Sequence, residues 1–240
     1  KHHIIPSITF VAIMTIGWVL FHYVADQETE KLDIRTQVIS EQLGIRLSEF
    51  LNIRLIRVDF LRDRMESKPP LTEAEFRNRS LLVQHELPGF QAISWIDKNG
   101  IIQWVSPLAT NLPAVGLDLS ARADKKAAAA FRRSSLYQID TATPVIQLVQ
   151  GGVGFALYLP IVIDDMIEGY VNGVFRLEEL VGECFGNTVR GYNFDVKISG
   201  QTIFLRGELH NFENPKTLGR HNFNFLGLPW ELTVVPGSSE

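Results

Sequence analysis

Residues 87–105 read LPGFQAISWIDKNGIIQWV, and the change of pattern inside them decides the fold. Pro88-Gly89 closes whatever helix precedes it, because proline cannot continue one and glycine takes backbone angles that other residues avoid. QAISWID over 91–97 then alternates apolar and polar residues, the period of a half-buried strand. Lys98-Asn99-Gly100 stops the alternation and IIQWV over 101–105 follows it. Asn-Gly between two such runs predicts a β-hairpin.

Upstream of this hairpin the period is helical. Thr72 with Glu75 three residues on is a capping box, which predicts a helix from about 72 to about 86. Pro69-Pro70 separates it from an earlier one. From Gln27 to Ser67 there is no proline and only one glycine, Gly44, while Leu43, Leu47, Phe50, Leu51, Val58 and Leu61 recur at spacings dominated by three and four. That pattern predicts one long amphipathic helix, roughly 40 residues and about 60 Å. A rod of that length packs on its own domain, pairs with a second copy, or does both. Arg46 and Arg57 interrupt a strict heptad seam, so the reading favours packing on the domain for the second half and a homodimer contact nearer the membrane.

The membrane enters through Ile4–Ala25, IIPSITFVAIMTIGWVLFHYVA, which contains no Asp, Glu, Lys or Arg. A helix of roughly 20 apolar residues crosses a hydrocarbon core of about 30 Å. A cleaved secretory signal has a shorter apolar core and a small-x-small cleavage site, and this run has neither feature. Residues 1–26 are therefore expected to form a transmembrane anchor. Lys1 precedes the run and Asp26, Glu28 and Glu30 follow it, so 27–240 are expected on the periplasmic or extracellular side of the cell membrane.

Downstream, 106–119 reads as a loop with Pro107, Pro113 and Gly116, and 122–134 as a short alanine-rich helix. Val145–Gln150, Phe155–Ile163 and Gly169–Arg176 read as three successive antiparallel strands, and Leu177–Phe185 as a helix. With the hairpin this makes a five-stranded antiparallel sheet flanked by helices, an α+β layout. A second, smaller sheet is expected from Phe194–Ile198, Gln201–Leu205, Asn222–Phe225 and Trp230–Val235. The division expected is an anchor over 1–26, a long signalling helix over 27–67, a membrane-distal lobe over 68–185, a membrane-proximal lobe over 186–236, and a linker over 237–240 leading towards a second span.

Composition narrows the function. The 240 residues carry 23 Lys and Arg against 27 Asp and Glu, a net charge of −4, which offers no basic patch for nucleic acid. A single cysteine, Cys184, excludes an internal disulfide framework. No metal-ligand spacing, phosphate loop or nucleophile elbow occurs. No nucleophile, base and orienting group stand together, so neither catalytic residues, a metal nor a cofactor is expected of this segment.

LPGFQAISWIDKNG over 87–100 resembles the opening strand of the CHASE sensory domain. Asn111-Leu112 and Gly116-Leu117-Asp118-Leu119 resemble that family's loop into its short helix. Thr143-Pro144-Val145, Leu148–Gly152, Leu159-Pro160-Ile161 and Gly169–Leu180 continue in the family's order. The end, Leu228–Pro236, is similar to the membrane-proximal PAS-like half of such sensors, which are related to double-Cache sensors. The resemblance implies two PAS-like lobes on a long helix, set between two membrane spans, feeding a sensor histidine kinase or a cyclic-dinucleotide enzyme. Asp118 falls near the pocket aspartate of the plant cytokinin receptors, but the threonine region at 140–144 is offset by one residue, so cytokinin binding is not implied. The competing reading is a membrane-anchored structural or dimerisation module without a ligand.

Polar residues in strand centres are the informative ones for a ligand site. Asn172 and Gln147 lie among apolar neighbours and serve either a ligand or a loop backbone. Alternation puts Ile102 and Trp104 on one face, and Tyr170, Asn172, Val174 and Arg176 on one face. Trp104 is core or pocket wall; Asp118 is a helix cap or an anchor for a cation or hydroxyl; Arg176 is a surface ion pair or an anion anchor. Thr141 follows Asp140 just before a strand, where turn chemistry competes with binding. A small ligand is expected between the first sheet and residues 106–139, with Trp104, Asp118, Thr141, Tyr158 and Asn172 as its contacts.

Overall fold

In the computed structural model the described residues are 4–122, 124–186, 191–208, 210–213, 215 and 217–237; the side chains of 4–12, 210 and 213 are excepted. The first helix, α1 (Ile4–Glu66), is 63 residues long, about 95 Å at 1.5 Å per residue. It runs unbroken past both sheets. The expected anchor lies partly outside the described residues; among those described, no helix is long and apolar enough to cross a membrane. α2 (Glu73–Glu86) starts on the expected capping box, with Thr72 N–H donating to Glu75 Oε2 at 2.9 Å and Glu75 N–H donating to Thr72 Oγ1 at 3.4 Å.

The first sheet is built from β1 (Phe90–Asp97), β2 (Ile102–Ser106), β3 (Thr141–Ala142), β4 (Ile146–Gln147), β5 (Val153–Ile163) and β6 (Met166–Arg176). Its order is β2-β1-β6-β5-β3, with β4 also on β5. Of the strand expected over 145–150 only β4 (Ile146–Gln147) forms, and a short strand not expected, β3, precedes it. Pro144 has no N–H to give the ladder, and the Thr143 side chain takes a ladder place by accepting from Ala156 N–H at 3.0 Å. The β1–β2 turn also differs from a two-residue hairpin. Only Gly100 has positive φ, at 87°, and Gly100 N–H donates to Asp97 O at 3.0 Å, a type I turn closed by a left-handed glycine.

That hairpin holds a second irregularity. Trp95 pairs with Trp104, yet Ile96 pairs with Ile102, so Gln103 is an extra residue in β2. A bulge of this kind reverses the side-chain parity beyond it. Ile102 and Trp104 therefore lie on opposite faces, which corrects the expectation that they share one.

α3 (Leu108–Asn111), a 3₁₀ turn (Leu112–Ala114) and α4 (Lys125–Tyr137) cross one face of this sheet. Asp124 caps α4 by accepting from Lys126 N–H and Ala127 N–H. α5 (Leu177–Phe185) leads to the second sheet of β7 (Tyr192–Ile198), β8 (Gln201–Arg206), β9 (Gly219–Phe225) and β10 (Leu228–Pro236), ordered β8-β7-β10-β9, with α6 (His210–Glu213) between β8 and β9. Its hairpins turn at Ser199-Gly200 and Leu226-Gly227, all four residues at positive φ, as type I′ turns require.

One continuous core joins both lobes. Leu43, Leu47, Leu51, Val58, Leu61 and Met65 of α1 pack with Ile93, Leu157, Leu159 and Val171 of the first sheet and with Trp230, Leu232 and Val234 of the second. Phe155 meets Trp230 edge to face at 6.0 Å across the junction. A separate cluster of Ile96, Ile102, Ala114, Leu119, Phe131, Tyr158 and Tyr170 fills the other face of the first sheet.

Candidate ligand-binding site

The site lies on that second face. Ser94 pairs with Asn172, Asn172 with Tyr158, and Tyr158 with Thr141. Directly opposed residues of adjacent strands project to the same side, so the four form a polar row across β1, β6, β5 and β3. All four are buried. Four polar side chains under a covered sheet face are unusual, because buried polar groups cost free energy unless they find partners.

Their partners differ along the row. Thr141 Oγ1 donates to Ala130 O of α4 at 3.2 Å. Asn172 Nδ2 donates to Leu157 O at 2.7 Å. The Tyr158 hydroxyl is buried with no acceptor for its proton. Burial pushes its pKa up, and the nearby Arg122 guanidinium, through its charge and a side-chain hydrogen bond to the phenol, opposes that shift without overcoming it. Arg122 makes no ion pair among the described residues.

Ser94, Asn172, Tyr158, Ala156 and Val174 of the sheet, Leu117, Leu119 and Arg122 of the crossing segment, and Leu148, Val149 and Gln150 of the β4–β5 turn enclose a cavity of about 30 Å³. That is room for a few waters at most, so a metabolite enters only when the wall opens. The segment over the cavity is stitched to β2: Ile102 N–H donates to Leu117 O at 3.1 Å and Leu119 N–H to Gly100 O at 2.9 Å.

The structure brings Tyr158 and Asn172 together in this cavity, with Thr141 beside Tyr158 at the end of the row. Asp118 lies in the stitched segment, where its Oδ1 accepts from Ser120 N–H at 2.8 Å and Ser120 Oγ at 2.6 Å. Those bonds, the hydroxyl's first, hold its carboxyl below its ordinary pKa. Trp104 is on the opposite face, stacked at 4.4 Å on Trp95 and 5.9 Å from Phe76 of α2. Gln147 is exposed, and Arg176 donates to Gln91 Oε1 at 2.6 Å away from the cavity. Ser94 and Arg122 were not anticipated. Ser94 stood mid-strand among apolar residues as Asn172 did, and the same rule finds it; Arg122 has no local signal, since only the fold brings it under the sheet.

The cavity is tied to α1. Arg62 Nη1 donates to Asp140 Oδ1 at 2.6 Å, next to Thr141, and Arg62 also pairs with Asp59. Val162 N–H donates to Glu66 Oε1 at 3.0 Å. Burial raises the Asp140 pKa, and Arg62 works against it.

The model of the CHASE domain family matches residues 97–202. No curated protein matches the chain. Among solved structures, an extracellular ligand binding receptor from Desulfohalobium retbaense is similar over 85% of this chain and 40% of its own, at 15% identity and a TM-score of 0.70. The ligand-binding domain of Pseudomonas fluorescens chemoreceptor CtaA in complex with L-serine is similar over 88% and 99%, at 12% identity and a TM-score of 0.64. That of the Pseudomonas aeruginosa amino acid chemoreceptor PctB in complex with L-Arg is similar over 87% and 96%, at 14% identity and a TM-score of 0.64. The chain spans less than half the length of the first of these and nearly the whole of the other two. From 97 to 202 the chain matches the CHASE domain, and its two lobes on one long helix have the fold of extracellular ligand-binding receptor domains.

Proposed function

We propose that this chain is the extracytoplasmic ligand-sensing input of a transmembrane receptor, passing small-molecule binding to a histidine kinase or a cyclic-dinucleotide enzyme. The observation that carries the reading is the buried polar row Ser94–Asn172–Tyr158, facing a cavity under the 106–139 segment. A fold with no use for a ligand gains nothing from a hydroxyl without an acceptor there. The amino acids bound by CtaA and PctB support a small polar ligand. Occupying the cavity moves its wall, and Arg62–Asp140 and Glu66–Val162 carry the change to α1. Only a ligand that binds two arrangements with different affinity shifts their populations.

The membrane anchor is part of this proposal. Ile13, Trp18, Val19, Leu20, Phe21 and Val24 are all more than half exposed, an apolar helix surface with no protein against it, as a bilayer suits. A parallel homodimer is the second part: Ile34, Val38, Ile45, Ile53, Ile56 and Phe60 are exposed on the side of α1 away from the core. The same stripe, with so small a cavity, favours the alternative of a dimerisation module without a ligand.

A thermal-shift screen of the full chain in lipid nanodiscs against a metabolite library separates the two. A ligand at about a hundred times its dissociation constant adds about 2.7 kcal/mol. Ala156→Val, which fills the cavity, is expected to abolish the shift of every true ligand. Hits that persist in a folded Ala156→Val variant put the site elsewhere, and a library without a hit favours the structural module.

A further inference from the structure

We infer that the cavity takes a short-chain monocarboxylate and not an amino acid: a guanidinium with no ion-pair partner among the described residues, Arg122, and a hydroxyl with no acceptor, Tyr158, meet in a lining with no acidic side chain. The inference rests on the ligand-sensing reading above. A guanidinium presents its donors in a plane that matches the two oxygens of a carboxylate. The Tyr158 Oη–H is a buried donor without an acceptor, and a carboxylate oxygen is the acceptor it lacks. These two groups come from different elements, the crossing segment and β5, so an anion that reaches one meets the other as well.

What the wall lacks for an ammonium group is a counter-charge. Ile102, Leu117, Leu119 and Val174 are apolar, and Ser94, Gln150 and Asn172 are neutral, and a cation taken from water without a carboxylate is strongly disfavoured. The two acids nearby are committed to backbone. Asp118 Oδ1 accepts from Ser120 and Ala121, and Asp124 Oδ1 accepts from Lys126 N–H at 2.9 Å and Ala127 N–H at 3.1 Å at the start of α4. Turning either carboxylate into the cavity would strip a loop or a helix of its cap. Asn172 and Ser94 line the cavity as neutral groups, able to meet a hydroxyl or a keto oxygen on the ligand. The cavity's size, about 30 Å³, keeps the acid short, since even a molecule of a few carbons needs the Leu148–Gln150 turn to give way.

Calorimetric titration of the full chain in detergent with three probes tests this. Propionate, propionamide and L-alanine share a three-carbon skeleton; the amide lacks the charge and alanine adds the ammonium. Propionate is expected to bind, and the other two to bind at least about tenfold more weakly, the scale of a charge-assisted hydrogen bond. Arg122→Gln should weaken propionate by about tenfold or more, Arg122→Lys should keep part of the affinity, and Tyr158→Phe should weaken it without lowering the melting temperature of the empty protein. Alanine binding as tightly as propionate, propionate binding unaltered in a folded Arg122→Gln variant, or no binding of propionate or any other short-chain monocarboxylate each overturns the proposal. If compounds of another class bind and Ala156→Val removes them, the sensing site stands and only the ligand class falls. If bound compounds are indifferent to Ala156→Val, the site itself falls.

Discussion

Tyr158 and Asn172 sit side by side in the row, and their substitution separates structure from binding. The Tyr158 hydroxyl has no acceptor in the empty protein, so Tyr158→Phe removes an unsatisfied donor. Its melting temperature should equal or exceed that of the parent, with a gain of up to about 1 kcal/mol. Asn172 differs, because Nδ2 serves the Leu157 carbonyl. Asn172→Ala should cost about 1–3 kcal/mol with no ligand present. Thermal denaturation of the two variants checks the contrast; equal losses would mean that the hydroxyl has an acceptor in solution. Both residues were legible in the sequence, as an amide and an aromatic among strand residues. Arg122 was not, because a lone arginine before a helix looks like any solvated charge until the chain folds over the sheet.

The elements meet α1 in two different ways. The first lobe grips it with large apolar side chains and the Arg62–Asp140 pair. Arg62→Ala should destabilise the protein by about 1–3 kcal/mol, since it leaves Asp140 half-buried without its cation. Its pH dependence has a definite sign. Asp140 has a raised folded pKa, so its contribution is full below the unfolded value and lost as pH rises through the folded one. Removing Arg62 raises that pKa further, so the variant's deficit should be small near pH 4 and fully developed by about pH 7. Denaturation across this range checks it, and a deficit flat in pH would refute the electrostatic account. The second lobe approaches more closely. Thr36, Ser40 and Gly44 form a buried row of small residues under β9, and a Cβ at Gly44 would collide with the His221 ring. Gly44→Ala improves helix propensity by about 1 kcal/mol, yet crowding should turn this into a net loss of about 1–3 kcal/mol, read by chemical denaturation. Helix and most strand positions followed from period and caps, and Pro144 explains why β3 and β4 are separate short strands. The bulge at Gln103 was illegible, because nothing in IIQWV marks the residue that the pairing skips.

At the scale of the whole molecule, α1 is apolar on two sides, one buried in both lobes and one exposed. Cysteines at Ile45 or Ile53 should cross-link two copies in membranes under mild oxidation, whereas one at Leu47, on the buried side, should not. Equal yields at all three positions would refute a parallel pair. The two-lobed plan was readable from the repetition of strands and turns; the fusion of the lobes into one core was not, because the Phe155–Trp230 contact spans residues far apart in the chain.

Gln37 sits early on α1, well away from the cavity. Its side-chain amide accepts from Arg220 N–H and donates to Arg220 O, both at 3.2 Å. Arg220 lies on β9, the outer strand of the second sheet. The amide thus stands in for a neighbouring strand, and open strand margins are where foreign chains add themselves. Trimming the protein for solubility therefore has an upstream limit: a version starting at Gln27 keeps this seal, while one starting beyond Gln37 bares the margin and invites amyloid-like stacking of otherwise intact molecules.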